Sequence, residues 1–289
     1  MERELWPLIY RLLRSAATDV NQKYVQYQPW IVVAVFLWAA LHDRPISWAC
    51  QERHWSTTRL RPAQLPSAAT ISRRIDSVGV GLFWRVLEER IRGSGHPALI
   101  TFLDGKPLPI GGNGKDPDAR FGHAAGGKAK GYKLHALWSN RLMPEIWDVT
   151  PLNTHERVVA RGLLPQLRHG GYLLADGNYD ASDLFDLAWR CGYQLLLPLP
   201  AGKNPGSGKH YQSPYRLRSI ALQRSDFGRA LYKHRLNIER NFGNATVFGG
   251  GLAPLPAWVR GLERVRTWVW AKLFINAIRA MSKQQLRRA

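Results

Sequence analysis

Ala98-Leu-Ile-Thr-Phe-Leu-Asp104 is a short apolar run that ends on a carboxylate, and Gly105-Lys-Pro107 follows it. Aliphatic, β-branched and aromatic residues bounded by turn formers make a buried strand. A carboxylate at the end of such a strand stands at the rim of a sheet, where α/β folds build their sites. Asp before Gly is also a common turn opener, so Asp104 gains meaning only from its company. Tyr172-Leu-Leu-Ala-Asp176 repeats the pattern, with Gly177-Asn-Tyr-Asp180 after it. Between the two runs, residues 131–138 alternate like a strand, with Tyr132, Leu134, Ala136 and Trp138 on one face. Residues 143–149 supply its antiparallel neighbour across a turn at Asn140-Arg141. Residues 181–191 read as a helix closed by Gly192, and residues 193–199 as a further strand. Three strands, then alternating helix and strand, describe an α/β layer with a mixed sheet flanked by helices.

The connecting segments carry their own expectations. Residues 105–131, rich in Gly, Lys and Asp, read as a mobile basic loop. Within it, Gly122-His-Ala-Ala-Gly-Gly127-Lys128-Ala129 resembles a phosphate-binding loop, but Ala129 stands where a magnesium-binding hydroxyl is needed. Asn153 with Glu156 has capping-box spacing for a helix ending near His169, which leaves His155 as an exposed first-turn residue. Asp180 and Asp183 are spaced as a helix cap and its partner. Residues 200–214 have the Gly, Pro, Ser and Lys content of a flexible loop.

Residues 1–97 read as helical throughout, an all-helical N-terminal domain preceding the sheet. Leu5, Leu8, Ile9, Leu12 and Leu13 recur at helical spacing, and an apolar run follows over 29–41. Ser47 is a candidate cap for the next helix; Pro66-Ser67 opens another over 68–75, and 79–92 gives one more. Short helices and tight turns that expose Ser72, Arg73 and Arg74 fit a helix-turn-helix DNA reader. From this stretch alone, an ordinary bundle whose arginines face water is the favoured reading.

Composition narrows the partner. The 289 residues carry 41 Lys and Arg against 21 Asp and Glu, a net charge of +20. A surplus of that size implies a polyanion, nucleic acid first. Residues 98–197 are nearly neutral, with 11 basic and 10 acidic side chains, while residues 198–289 carry 17 and 3. The carboxylates therefore concentrate in the middle and the positive field in the last third. Cys50 and Cys191, the only two cysteines, offer neither zinc spacing nor a disulfide framework and suit a reducing compartment. The longest apolar run, 30–41, is too short to cross a membrane, and the charged start is unlike a signal peptide.

The last third supplies a third acid. From Asp226 a helix is expected to carry Tyr232, Arg235 and Glu239 along one face. Glu239 stands among Arg229, Lys233, Arg235 and Arg240, and it could simply pair with Arg235 one turn away. A last amphipathic helix is expected over 258–281, with Trp258, Trp268 and Trp270 as core residues or stacking platforms.

Tyr, two residues, Arg, three residues, Glu, placed after Asp104-Gly-Lys and Asp176-Gly-Asn-Tyr, resembles bacterial insertion-sequence transposases of the DDE type. The acids are 72 and 63 residues apart. The likeness covers 98–289, and Gly131-Tyr-Lys-Leu-His135 adds to it; residues 1–97 are similar to the family's helical DNA-binding region. The resemblance implies a ribonuclease H-like catalytic domain over 98–289, with a basic C-terminal helical part, behind a DNA-binding domain over 1–97. It implies Asp104, Asp176 and Glu239 as ligands of two magnesium ions, which manganese can replace. It further implies Tyr232 and Arg235 on transposon-end phosphates, with Lys133, Arg240, Arg73 and Arg74 as further DNA contacts. The expected partner is double-stranded DNA, element ends and target, bound by a homodimer in the bacterial cytoplasm with no membrane attachment. The expected activity is cleavage of element ends and their joining to target DNA. A nuclease without strand transfer and a silent DNA-binding derivative are the alternatives. Thr246 stands where relatives often carry Lys, a contact that Lys272 could replace.

Overall fold

A computed structural model describes residues 2–56, 58–92, 98–111, 115–124, 126–199, 211–247, 251–252 and 254–286. Most of the expected loop over 200–214 lies outside the described residues. By packing, the chain forms two units, Met1–Gly95 with Val247–Leu252 and Thr267–Ala289, and His96–Thr246 with Ala253–Arg266.

The first unit contains α1 (Glu2–Ala16), α2 (Pro29–Leu41), α3 (Ile46–Ala49), α4 (Ala68–Arg74) and α5 (Val78–Arg92). Helix α2 is apolar on every side, and Val32 through Leu41 are all buried; a helix of that pattern can only be a core helix. Leu5, Trp6, Ile9 and Leu13 of α1 and Val80, Phe83 and Leu87 of α5 are buried with it. Trp38 meets Trp6 edge-on at 4.8 Å and stacks on Trp55 at 4.6 Å. The Ser67 hydroxyl caps α4 by accepting from Thr70 N–H. Pro45, rather than Ser47, precedes α3. In the last turn of α4, Ser72 and Arg73 are exposed, but Arg74 is half-buried and donates to the Gln22 side chain at 3.1 Å.

The second unit holds a six-stranded mixed sheet. Its elements are β1 (Ile100–Pro109), β2 (Arg120–Ala124), β3 (Gly127–Trp138), β4 (Ile146–Pro151), α6 (Glu156–Leu163), β5 (Gly171–Leu174), α7 (Ser182–Arg190), β6 (Tyr193–Leu196), α8 (Pro214–Arg224), α9 (Asp226–Lys233) and α10 (Leu236–Val247). Strand order is β2-β3-β1-β5-β6, with β4 also on β3. β1, β5 and β6 run parallel, while β3 is antiparallel to β1, β2 and β4. This is the expected ribonuclease H-like α/β sheet flanked by helices. Val159, Leu163, Leu184 and Phe185 from α6 and α7 pack with Leu173 and Leu195 of the sheet in one core. Gly171 has φ +137°, and a Cβ there would stand 2.2 Å from the Leu99 carbonyl oxygen, so only glycine can begin β5.

Several local expectations change. β1 does not end at Asp104; it pairs with β3 as far as Pro109↔Gly131, but with β5 only over Ile100–Phe102. Ile110 N–H donates to Lys130 O on β3, so by alternation Pro107 and Pro109 turn their nitrogens away from β3. No strand among the described residues pairs on that side, and the missing N–H groups cost nothing. The loop expected over 105–131 is therefore largely strand, and the phosphate-loop lookalike forms β2 and the start of β3. His155, not Asn153, caps α6, its Nδ1 accepting from Arg157 N–H at 3.3 Å. Asp180 grips Arg216 in a two-pronged ion pair, and Asp183 pairs with Arg161. The expected helix from Asp226 is two helices, α9 and α10, parted by a tight turn in which Arg235 N–H donates to Tyr232 O.

The last helix, α11 (Leu262–Leu286), is divided at Thr267. From there on it groups with the helical unit rather than with the sheet. The cause is packing: Trp268 and Trp270 are buried, with Trp268 edge-on to Phe36 and Trp270 against Trp84. Trp270 also donates to Glu88 at 2.7 Å. Lys272 is fully buried, donating to Ala40 O and pairing with Asp43, so it cannot stand in for a surface DNA contact at Thr246. The Thr246 hydroxyl itself donates to Phe242 O within its own helix.

Candidate active site

Beyond the end of β5, where β1 continues, Asp104 and Asp176 line one groove. Asp104 lies mid-strand on β1, opposite Ala136. Asp176 follows β5 and caps a 3₁₀ turn, accepting from Asn178 N–H at 2.9 Å. Glu239 sits in the first turn of α10, and Arg235 in the turn before it. The Arg235 guanidinium stands among all three carboxylates, 3.1 Å from Glu239, 3.5 Å from Asp104 and 3.9 Å from Asp176. Its Nε is buried without a hydrogen-bond partner. Tyr232 anchors the turn: its hydroxyl donates to Ala175 O, next to Asp176, at 3.0 Å.

A fourth carboxylate belongs here that the sequence hides. Glu156, at the start of α6, pairs with Lys133 of β3 at 2.8 Å, and both are largely buried. Its spacing from Asn153 imitates a capping box, which masked it. Burial pushes the Asp104 carboxyl up to about 6; Gly105 N–H and Arg235 pull it down, and Asp176 and Glu156 push it further up. Burial likewise raises Asp176, opposed chiefly by the N–H of Asn178. Burial raises the Tyr232 hydroxyl to about 12, so it stays a donor. Among the described residues, Arg235 and Lys133 alone are ion-paired with these four acids, which leaves them short of positive charge. A groove of about 630 Å³ runs past Asp104, Asp176, Glu156, Lys133 and Arg157.

Oxygen donors on partly buried, charge-deficient carboxylates are the chemistry of a hard divalent cation. With Arg235 among them, no three Asp, Glu, His or Cys side chains converge on one point among the described residues. The chemistry of the donor set fits such a cation, to which Asp104 and Asp176, both lining the groove, could each offer an oxygen.

Residues 95–275 match a family described as transposase DDE domain. The chain belongs to that family. No curated protein and no solved structure matches it. The DDE-domain assignment covers the sheet, the acids and the start of α11, and membership implies DNA as partner and divalent metal as cofactor. No described helix is long and apolar enough to cross a membrane. Among the DNA contacts expected in this domain, Lys133, Tyr232 and Arg235 gather near the carboxylates described above, while Arg240 is exposed on α10 and hydrogen-bonds Asn237. Arg73 and Arg74 belong to the other unit.

Proposed function

We propose that the protein is a transposase that cuts the ends of a DNA element and joins them to target DNA. Asp104, Asp176 and Glu239 are the ligands of two magnesium ions, or of manganese in their place. When bound, such a pair activates water or a 3′-hydroxyl and stabilises the leaving oxygen. The observation that carries this reading is the meeting of three carboxylates from β1, the end of β5 and α10 around a single guanidinium.

The chain's own groups divide the remaining work. Arg235 carries a donor without a partner among the described residues, and its guanidinium can engage a phosphate by two prongs. Tyr232 holds the Arg235 turn against the end of β5. Lys133, restrained by Glu156, keeps a positive charge in the groove beside Asp104. Arg240 on α10 and Arg73 and Arg74 on α4 contact duplex DNA, the latter two for recognition of the ends. The enzyme acts as a homodimer on DNA, in the cytoplasm beside the nucleoid.

Glu239→Gln keeps the side chain's size and removes the charge that holds a metal. Labelled end DNA should no longer be cut in magnesium, while a gel shift in calcium should show binding kept or slightly stronger. Full cleavage by the variant would return Glu239 to a surface partner of Arg235.

A further inference from the structure

Helix α10 has a second face, rich in asparagine. Asn237, Asn241 and Asn244 recur at helical spacing within about 40° of the direction opposite Glu239, at about 100° per residue. They line a groove of about 500 Å³ with Arg240, His234 and Asn140 from the turn after β3. Its other wall is the start of β1, where Leu99 is 74% exposed. The residues lining the groove include no carboxylate, unlike the groove that Asp104 and Asp176 line. Three asparagines are a poor choice for helix stability, since Asn competes with the backbone for hydrogen bonds. Their alignment on the wall of one groove is what a ligand with paired donors and acceptors would require. A carboxamide offers both, and it matches the N6 and N7 edge of adenine by two prongs. Arg240 adds the positive charge that a phosphate needs.

We infer that this groove binds a DNA strand distinct from the one at the acids, read at base edges by Asn237 and Asn241 with a preference for adenine. The face spans about 10 Å from Asn237 to Asn244 at 1.5 Å per residue, which matches about three base steps of 3.4 Å. The catalytic helix would then touch one strand with Glu239 and another with its asparagines. This inference rests on the transposase reading and adds a second DNA site to it.

The test compares wild type with Asn237→Ala/Asn241→Ala on short dA·dT and dG·dC duplexes, by fluorescence anisotropy in calcium at one salt concentration. Alanine is the better helix former, so the double variant should melt no lower than wild type by circular dichroism. Should it melt lower, Asn241→Leu, similar in size, uncharged and without the amide's donors and acceptor, replaces it in the same comparison. Wild type should favour dA·dT, and either variant should lose about tenfold in affinity there, with a smaller loss on dG·dC. Equal weakening on both duplexes, or no change, overturns the inference while leaving the transposase reading intact. Wild type that binds neither duplex, and neither binds nor cuts element ends, overturns both.

Discussion

Replacing Arg235 by Ala removes the only cation that Asp104, Asp176 and Glu239 share among the described residues. A single unit pair at 3.5 Å is worth about 5 kcal/mol before desolvation, at an effective dielectric of about 20. Desolvating the guanidinium cancels much of that, yet removing one partner of a buried pair typically costs about 3–5 kcal/mol. The Asp176 and Glu239 side chains are 30% and 55% exposed, so solvent screens their share. The expected loss is about 2–3 kcal/mol in chelator. Magnesium should then stabilise the variant more than wild type, because its acids have no other cation between them. Adding Asp104→Asn should recover part of the loss, since one of the carboxylates left facing each other is neutralised. Urea unfolding in chelator and in magnesium, for the four proteins of that cycle, measures all three effects. Equal stability of wild type and Arg235→Ala in chelator, with equal responses to magnesium, would refute the view that Arg235 holds the acids together.

Two further outcomes are expected. Burial pushes His135 down to about 3, so it stays neutral in the fold while the unfolded chain protonates below about 6.5. The stability it leaves intact at neutral pH falls as pH drops through that window, by about 2 kcal/mol at pH 5, and His135→Gln should flatten this part of a urea-unfolding pH profile. Binding of end DNA should weaken steeply with salt; with six or more phosphates neutralised, a plot of log affinity against log salt slopes at about −5 or steeper, and a flat plot would make the surplus over residues 198–289 a solubility feature.

The parts of the fold that follow local rules were readable. An apolar run ending at Asp176, the alternation over Tyr132 to Trp138 and the core helix α2 all depend on composition and period alone. Where β1 ends was not readable. Pro107 looks like a strand breaker, and only the early end of β5 makes it harmless. Glu156 was hidden because Asn153 offers a local explanation three residues earlier, whereas its real partner, Lys133, lies 23 residues away. Helix α8 was not readable beside the loop expected over 200–214, since its buried face carries Ser219 and Gln223 while Leu217 is exposed. The allegiance of α11 depends on partners such as Ala40 and Glu88, far off in sequence, and no period encodes that.

The spacing of Tyr232, Arg235 and Glu239 can now be understood by what each position must reach. A single continuous helix would hold all three on one face, but the chain breaks at His234 and Arg235 instead. That break lets Tyr232, in the last turn of α9, fasten to the carbonyl next to Asp176, while Arg235 reaches across to β1. Glu239, a turn into α10, still faces the same guanidinium. Three residues between Arg and Glu therefore set a helical i to i+4 reach, and two residues between Tyr and Arg set a turn closed by the bond from Arg235 N–H to Tyr232 O. A one-residue insertion between Tyr232 and Arg235 would keep every side chain and lose that turn. The motif is thus a statement about backbone geometry as much as about chemistry.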